Sequence, residues 1–260
     1  MRLKNKIALV TGAAAGIGRG VALAMTKEGA KVACCDIDKD GLRETKSIID
    51  KAGGSCFTDA FDNRNSEAIK SFVETATSEL GQIDILVNVA GIMPAGANED
   101  IEESTVDDIL SINLKSAIMF SKYAIPYIRK SGGGSIIHMA SVTGHNGHPG
   151  VVVYGATKGA LMALARGQAM ELAKDKIRVN TVSPGTVDSP MLHRFLEEEA
   201  TDKEKARAGF DKIHPLGKIA SVEEVASVVI FLASNDAANV TGEDIRCDGG
   251  YCIQGFQPKE

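Results

Sequence analysis

Tyr154 and Lys158 are the two side chains whose types and spacing most directly suggest chemistry. A four-residue step along a helix places the phenol and the ammonium on one face, about 6 Å apart along the axis. A cation about 4 Å from a phenol favours the phenolate by roughly 4 kcal/mol at an effective dielectric of 20, or about three pKa units before desolvation opposes it. The pair could therefore exchange a proton, although the same spacing also occurs in ordinary surface pairs.

Ser141 places a hydroxyl group in the same part of the chain. It lies 13 residues before Tyr154 and directly follows a predicted strand. In an open parallel sheet, ligands bind beyond the carboxyl ends of the strands. The sequence thus predicts that a serine, a tyrosine and a lysine meet at a ligand site.

A glycine-rich segment lies between the first predicted strand and the first predicted helix. It contains Gly12, Gly16, Ile17 and Gly18 in the spacing G-x-x-x-G-x-G, which differs from the common dinucleotide fingerprint G-x-G-x-x-G. Small residues there let backbone amides and a helix N-terminus approach a pyrophosphate. A turn that needs glycine only for close packing is the alternative interpretation.

Asp36 supports a nucleotide site and indicates which cofactor it prefers. It lies 18 residues beyond Gly18, at the end of the second predicted strand, where a carboxylate can accept hydrogen bonds from adenosine ribose hydroxyls. The same carboxylate would repel the 2′-phosphate of NADP, and neither Ala15 nor Ile37 offers a compensating cation. NAD is therefore the expected cofactor, and Arg19 is the one residue that weakens this preference.

Predicted strands and helices alternate along the whole chain. The strands are expected near residues 7–11, 31–36, 55–59, 85–88, 135–140, 178–182 and 244–247, and the main helices near 16–28, 39–52, 66–80, 106–129 and 154–173. A last helix should begin at the capping-box pattern Ser221-x-x-Glu224. This order predicts an α/β doubly wound Rossmann fold with a mostly parallel sheet.

The domain organisation is predicted to be simple. No linker, repeat or low-complexity segment divides residues 1–260, so one NAD-binding domain is expected over the whole length. Residues 186–214 form a long charged connection, which we interpret as a substrate lid because such loops are often functional. A solvated surface excursion is the alternative.

Composition narrows the class of partner. The chain has 260 residues, 44% of them hydrophobic and 24% charged, and its net charge of −5 argues against nucleic acid or an anionic membrane. No signal peptide or apolar stretch long enough to span a membrane is recognisable, so a cytoplasmic location is expected. Five scattered cysteines without metal spacing are interpreted as reduced apolar residues.

Several dispersed motifs together resemble the short-chain dehydrogenase/reductases, from about Leu3 to Gly250. The matching elements are Thr11-Gly12-x-x-x-Gly16-Ile17-Gly18, Asp62, Asn88-Val89-Ala90-Gly91, Asn113, Ser141, Tyr154-x-x-x-Lys158 and Pro184-Gly185. The resemblance implies a single Rossmann domain with a seven-stranded parallel sheet, and commonly a homotetramer or homodimer.

The same resemblance implies roles for four catalytic residues. Tyr154 would be the general acid/base, and Lys158 would bind the nicotinamide ribose and lower the pKa of the tyrosine. Ser141 would orient the substrate oxygen, and Asn113 would hold a water in a proton relay. A base near the hydride acceptor is required because alcohol oxidation removes a hydride and a proton together.

The resemblance also implies the residues of the NAD site. Asp62 would meet the adenine, and Val187 would contact the nicotinamide amide. Val89 and Ser189 depart from frequent Asn and Thr positions of the family, but neither is a reacting group. The complete set expected to bind cofactor is Gly12, Gly16, Ile17, Gly18, Asp36, Asp62, Asn88, Ala90, Gly91, Tyr154, Lys158, Pro184, Gly185 and Val187.

The substrate region indicates a mixed polar and apolar pocket. Besides Ser141 and Tyr154, the expected contacts are His148, Met191 and Phe195, although His148 and its neighbour His145 could instead face solvent. We expect no catalytic metal. The run from Pro184 to Pro190 resembles family members that act on small hydroxy acids or sugar-derived acids.

The expected substrate is therefore a small-molecule secondary alcohol or ketone. A 3-oxoacyl-thioester reductase is an alternative that would favour NADPH, and Asp36 argues against it. Steroid- and polyol-oxidising relatives remain open as well. A cofactor-binding regulator without activity is a different class, and the presence of both Tyr154 and Lys158 argues against that alternative.

Overall fold

The computed structural model describes residues 1–255, and its strands and helices alternate as the sequence predicts. The strands are β1 (Ile7–Thr11), β2 (Lys31–Asp36), β3 (Cys56–Ala60), β4 (Ile85–Asn88), β5 (Gly134–Met139), β6 (Ile177–Pro184) and β7 (Asp244–Cys247). The helices are α1 (Gly16–Lys27), α2 (Lys39–Lys51), α3 (Ser66–Leu80), α4 (Glu103–Leu110), α5 (Ser116–Lys130), α6 (Val152–Leu172), α7 (Pro190–Glu199), α8 (Lys203–Lys212) and α9 (Val222–Ala233). Residues 256–260 of the predicted domain lie outside the described part.

The seven strands form one parallel sheet in the order β3-β2-β1-β4-β5-β6-β7. This confirms the predicted doubly wound Rossmann architecture. The chain runs outward from β1 in one direction through β3 and then continues on the other side of β1 with β4. The reversal between β1 and β4 opens a crevice at the carboxyl ends of these two strands, which is where such folds bind ligands.

Two hydrophobic cores cover the two faces of the sheet. Helices α1, α2 and α9 pack on one face, where Met25, Ile49 and Val229 are fully buried. Helices α3, α5 and α6 pack on the other, where Phe72 and Phe120 meet edge to face with ring centroids 6.3 Å apart. Because helices cover both faces of the sheet, every residue of β1 and β4 is buried.

The predicted helix over 106–129 is the main difference from the sequence interpretation. The observed segment is α4, then a π-helical turn at Ser111–Lys115, then α5. A single π turn inside a helix inserts one extra residue and is frequently found at functional sites. Periodicity does not reveal such an insertion, because the apolar faces before and after it remain helical.

The charged connection contains two helices, α7 and α8, which pack against each other through Phe195 and Phe210 with centroids 6.2 Å apart. A small cluster of Leu192, Leu196 and Ile219 is buried beneath them, separate from the two main cores. The predicted capping box is present, because Ser221 N–H donates to Glu224 at 2.8 Å and Glu224 N–H to Ser221 Oγ at 3.2 Å. Within residues 1–255, no helix has the length and apolar character that crossing a membrane requires.

Candidate active site at the carboxyl end of the sheet

Thr11, at the end of β1, joins this strand to the segment that follows β4. The Thr11 hydroxyl accepts the backbone N–H groups of Val89 and Ala90, both at 3.0 Å. A Cβ on Gly12 would lie 2.9 Å from the Ala90 backbone, so only glycine allows this approach. Gly12 and Ala90, which the sequence analysis selected separately, are therefore neighbours.

The glycine-rich segment leads directly into α1. Gly12 and Gly16 have φ values of +66° and +51°, which side chains rarely allow, and a Cβ on Gly18 would lie 1.9 Å from the Gly12 carbonyl oxygen. In the described chain, the residue preceding α1, Ala15, makes no side-chain capping hydrogen bond. The positive end of α1 thus faces the crevice with amides available for an anionic ligand.

Asp36 lies beside this segment, as predicted. One carboxylate oxygen accepts the N–H of Ala14 at 3.0 Å, and the other accepts that of Asp38 at 3.1 Å. A carboxylate has about four lone-pair sites, so Asp36 keeps acceptor capacity toward a ligand. Its position at the end of β2 is the one expected for a group that binds ribose hydroxyls.

Arg19, which the sequence left ambiguous, is held by its own neighbours. Its guanidinium pairs with Glu44 at 2.7 Å and donates to Thr45 Oγ1 at 3.0 Å. It also donates to the carbonyl oxygens of Ala14 and Gly41. These contacts attach α2 to the glycine-rich segment, and the positive charge of Arg19 is paired with the carboxylate of Glu44.

Asp62, expected near adenine, has a partner that the sequence analysis missed. Arg64 pairs with Asp62 at 2.6 Å and with Asp108 of α4 at 2.6 Å, and its hydrogen bonds hold the pKa of Asp62 below the usual range. Beside it, the buried Oδ1 of Asn63 has no hydrogen-bond partner among the described residues. The motifs indicated neither the ion pairs of Arg64 nor this unsatisfied buried oxygen.

Tyr154, Lys158 and Ser141 come together between β5 and α6. The Lys158 side chain is only 3% exposed, its Nζ donates to the Met139 carbonyl oxygen at 2.7 Å, and Nζ lies 5.3 Å from the centroid of the Tyr154 ring. Ser141 lies two residues beyond the end of β5, and its Oγ accepts the N–H of Thr143 at 3.2 Å. The predicted convergence of these three side chains is therefore present.

The proton affinities of this pair differ from the sequence expectation. Burial raises the pKa of Tyr154 to about 12, opposed by hydrogen bonding to Ser141, and burial lowers the pKa of Lys158 to about 8. Lowering of the tyrosine pKa by Lys158 is thus not seen for the protein by itself, and in the presence of nicotinamide it stays a prediction. The reason is that the ammonium lies over the ring and is directed at the Met139 carbonyl, while burial penalises both charged forms.

Asn113 lies in the π turn and is 1% exposed. Its Oδ1 accepts the N–H of Ile92 at 2.8 Å, and its Nδ2 donates to the Ile92 carbonyl oxygen at 2.9 Å. A Cβ on Gly91 would lie 3.3 Å from Asn113 Oδ1 and 3.5 Å from Lys158 Nζ. The side chain of Asn113 thus holds the segment after β4 beside the buried lysine.

Asn88 belongs to a buried polar chain that sequence reasoning did not find. Its Nδ2 lies 3.0 Å from His138 Nδ1, and His138 Nε2 lies 2.9 Å from Gln168 Oε1. Burial lowers the pKa of His138 to about 4, so the neutral ring accepts from Asn88 and donates to Gln168. The signal in the sequence is a single histidine inside an apolar strand, and it belongs to none of the recognised motifs.

The segment after β6 presents the predicted Val187. Ala220 N–H donates to the Thr186 carbonyl oxygen and Asp188 N–H to the Ala220 carbonyl oxygen, both at 2.9 Å. Backbone groups alternate in direction along an extended chain, so the N–H and C=O of Val187 point away from Ala220. Within residues 1–255, neither group of Val187 has a hydrogen-bond partner. Pro184 and Gly185 end the strand that leads to this segment.

The three predicted substrate residues are placed differently from one another. His148 lies on the loop after Ser141, and its buried Nε2 has no hydrogen-bond partner among the described residues. Met191 is 39% exposed at the start of α7. Phe195 faces Phe210 in a groove lined by α7 and α8, and not Ser141 or Tyr154. Aromatic packing between the two helices explains that position.

His145 lies on the same loop as His148 and contacts the sheet. His145 Nε2 lies 2.8 Å from Asp244 of β7, so this ring is tied to the sheet and not simply solvated. Among residues 1–255, no group of three or more His, Cys, Asp or Glu side chains could hold a metal ion.

Comparison with known proteins places this site in a family. Residues 12–252 match the family model described as enoyl-(acyl carrier protein) reductase. A 3-oxoacyl-(acyl-carrier-protein) reductase of Thermotoga maritima is 36% identical and is matched over 97% of this chain and 100% of its own length. Cyclohexanol dehydrogenase of Acinetobacter sp. is 33% identical over 96% of each chain.

A solved structure agrees with the sequence matches. The crystal structure of levodione reductase superposes with a TM-score of 0.93 at 28% identity, over 97% of this chain and 99% of that one. The chain belongs to the short-chain dehydrogenase/reductase family, as its motifs predict. It is an oxidoreductase of the alcohol dehydrogenase and ketone reductase type.

Burial of Lys158 should make the unfolding free energy depend on pH. Its pKa is lowered to about 8 in the folded protein, so burial opposes folding most strongly below pH 8, and this penalty declines as pH rises from 8 toward the pKa of the unfolded lysine. Between about pH 8 and 10, we expect unfolding of the native chain to become harder relative to Lys158→Met, by at most roughly 1.4 kcal/mol per pH unit.

Urea unfolding followed by circular dichroism at pH 7, 8, 9 and 10 measures this difference. Tyr154 is present in both proteins, and its raised pKa lowers their stability above about pH 10. The comparison therefore ends at pH 10. If the native protein and Lys158→Met differ in unfolding free energy by the same amount at pH 7 and at pH 10, the burial of a charged Lys158 is contradicted.

Proposed function

We propose that this protein is an NAD-dependent oxidoreductase that transfers a hydride between nicotinamide and a secondary alcohol or ketone. The observation that carries the proposal is the convergence of Ser141, Tyr154, Lys158 and Asn113 beside a glycine-rich helix N-terminus. Proton exchange and dinucleotide binding are the two requirements of alcohol oxidation, and both kinds of residue lie at one edge of the sheet.

The residues fit a dinucleotide. The N-terminus of α1 offers amides to a pyrophosphate, Asp36 offers carboxylate lone pairs to ribose hydroxyls, and the unpaired backbone groups of Val187 match a carboxamide. When bound, NAD⁺ would supply the hydride acceptor and a positive charge. Preference for NAD over NADP rests on Asp36 together with Arg19, whose charge is already used by Glu44.

In this proposal, Tyr154 takes the proton of the alcohol and returns it in the reverse reaction. With its pKa at about 12 in the protein alone, the phenol needs added positive charge to work near neutrality. Lys158 bonds one acceptor, Met139, among the described residues, so two of its three N–H donors are available to the nicotinamide ribose. Ser141 orients the substrate oxygen.

Asn113 would support proton exchange with solvent. Its amide fixes the backbone of Ile92 directly beside Gly91, whose Cα faces Lys158. A water held at this point would connect the buried ammonium to the outside. Cofactor-binding roles for Asp62, Asn88, Ala90 and Gly91 belong to the same proposal.

The substrate class that we favour is a small hydroxy acid or a sugar-derived acid. His148 has a buried nitrogen without a partner, which can serve a polar substrate group, while Met191 supplies apolar surface. Reduction of a 3-oxoacyl thioester is the second candidate because a reductase of that type is 36% identical. Hydroxysteroids are a further alternative, and a regulator without activity is disfavoured because the reacting side chains are intact.

The direct test is a substrate panel followed by NADH absorbance. Secondary alcohols, hydroxy acids, sugar acids and hydroxysteroids are tested with NAD⁺, and 3-oxoacyl thioesters with NADH and NADPH. Tyr154→Phe should lower turnover of the best substrate by at least about 10²-fold, because it removes the ionisable hydroxyl and keeps the ring.

Binding of NADH to Tyr154→Phe, measured by fluorescence, is the control and should be nearly unchanged. Near-normal turnover in this folded variant would reject the tyrosine as the proton carrier. Failure of every substrate class with the native protein would reject the proposed reaction, and a preference for NADPH with thioesters would favour the second candidate.

Cofactor preference should reside in Asp36. Charge-assisted hydrogen bonds contribute roughly 1.5–3 kcal/mol, so Asp36→Ala should weaken NAD binding by about 10- to 150-fold and relieve repulsion of NADP. The NAD/NADP ratio of kcat/KM should narrow or reverse, while kcat at saturating NAD changes little.

Asp38→Ala is a matched control, since its carboxylate caps α2 through the N–H groups of Asp40 and Gly41. This variant should keep the native cofactor ratio. If Asp36→Ala also keeps it, another residue determines the choice.

A homotetramer, with a homodimer as the simpler alternative, is supported by the outer face of α6. Val152, Ala156, Ala163, Gly167 and Met170 form an exposed stripe of small and apolar residues, and Met170 is 83% exposed. Contiguous exposed apolar surface on a helix is typical of protein interfaces. We propose that two copies pack through this stripe.

Light scattering after size exclusion tests the interface. The native protein should have two or four times the 27.4 kDa chain mass, and Met170→Glu should reduce it by placing a charge in the interface. Ile48→Glu on α2, 39% exposed, is the matched control and should keep the native mass. A native monomer, or an unchanged mass for Met170→Glu, would contradict the proposal.

We also propose that residues 186–214 act as a lid. Beyond Val187, which packs into a main core, the buried apolar side chains Leu192 and Leu196 belong to a small cluster that is separate from the main cores. Such a segment can open locally at low cost. Hydrogen exchange in this segment should slow when NADH and substrate are both bound, with α3 as an internal reference, and equal exchange with and without ligands would refute closure.

A further inference from the structure

His214 is a buried histidine that no part of the proposed reaction uses. It follows α8 at the end of the lid and is only 2% exposed. Its Nδ1 lies 2.6 Å from the carbonyl oxygen of Phe210, and its Nε2 accepts the backbone N–H of Thr186 at 3.1 Å. One ring therefore joins the end of the lid to the segment that follows β6.

The two partners define the state of the ring. A carbonyl oxygen can only accept, so Nδ1 must carry a proton, and a backbone N–H can only donate, so Nε2 must be free of one. The ring is therefore neutral and in a single tautomer. Neither lysine nor a protonated histidine could make the same two bonds.

The neighbouring backbone is shaped around this ring. A Cβ on Gly185 would lie 2.7 Å from His214 Nε2, so glycine is required at that position for the imidazole to reach Thr186. On the other side, Tyr251 packs against His214 with ring centroids 5.4 Å apart. The imidazole is thus held between the end of β6 and the C-terminal segment.

The bond to Thr186 completes the anchoring of the nicotinamide-side segment. Ala220 holds the Thr186 carbonyl and the Asp188 N–H, and His214 holds the Thr186 N–H. All three anchors flank Val187, whose own N–H and C=O remain available within the described chain. Removing one anchor would let these two groups sample other directions.

We infer that His214 is a positioning residue that aligns the backbone of Val187 for the nicotinamide carboxamide. The inference rests on the proposed dinucleotide function and adds a residue to it. In this inference His214 acts through its hydrogen bond to Thr186 and not by touching the ligand. Its effect is therefore confined to ligands that carry the nicotinamide group.

The test compares NADH with ADP-ribose, which lacks nicotinamide, by isothermal titration calorimetry. His214→Asn keeps a donor near the Nδ1 position and loses the acceptor for Thr186, whereas His214→Gln places an amide oxygen near the Nε2 position. His214→Asn should weaken NADH binding by roughly five- to tenfold, as expected for one lost hydrogen bond, and ADP-ribose binding by less than about twofold. His214→Gln should bind both ligands nearly as the native protein does.

Each other outcome has a distinct meaning. Unchanged NADH binding by folded His214→Asn, or an equal loss for both ligands, would overturn the inference, and the second result would indicate general damage to the lid. A native protein that binds neither ligand would instead reject the proposed function.

Tyr251→Leu keeps the test possible if His214→Asn does not fold. It removes the ring packed on His214 and leaves both hydrogen-bonding groups in place. Selective weakening of NADH over ADP-ribose is again expected, by a smaller factor. Equal affinity of this variant and the native protein for both ligands would count against the positioning role.

Discussion

The hydrogen bond from Lys158 Nζ to the carbonyl oxygen of Met139 is the interaction on which the candidate site depends. A buried ammonium is costly unless it is paired or hydrogen-bonded, and among residues 1–255 one acceptor, the carbonyl oxygen at the end of β5, meets it at 2.7 Å. The cost is visible in the pKa of Lys158, which burial lowers to about 8. Such a cost is tolerated at functional sites, where burial prepares a charge for a ligand.

The surrounding elements all serve to hold that lysine in place. Helix α6 carries Lys158 one turn beyond Tyr154, β5 ends at Met139, and Ser141 follows two residues later. On the far side, the π turn directs Asn113 to the backbone of Ile92, next to Gly91. Absence of a side chain at Gly91 leaves space in front of the ammonium, so three parts of the chain that are distant in sequence define one small volume.

The segment around Val187, which we propose to contact nicotinamide, is organised by backbone hydrogen bonds. Val187 lies between two residues whose backbone groups are bound to Ala220, and His214 adds a third anchor through Thr186. These anchors lie in and beside the proposed lid, which has the smallest hydrophobic cluster of the molecule's described part. A lid that opens would admit the ligand, and its attachment to a firmly held strand end would place the cofactor accurately.

Much of the molecule could be predicted from the sequence. Alternation of apolar runs with helical periodicity determined the parallel sheet and the order of its elements, because burial on both faces leaves a strong apolar signal. Glycines at 12, 16 and 18, Asp36, and the pair Tyr154 and Lys158 could be selected because their chemistry and spacing are local properties of the chain.

Only the tertiary structure decided how those groups behave. The pKa of Tyr154 depends on burial and on the direction of the Lys158 ammonium, and both are set by packing between β5 and α6. The π turn, the pairing of Arg64 with Asp62, and the bond from Thr186 to His214 join residues through space, which periodicity along one element does not encode. The sequence by itself determined which chemical groups are present and on which elements they lie, whereas their proton affinities and partners depend on desolvation and on contacts between distant segments.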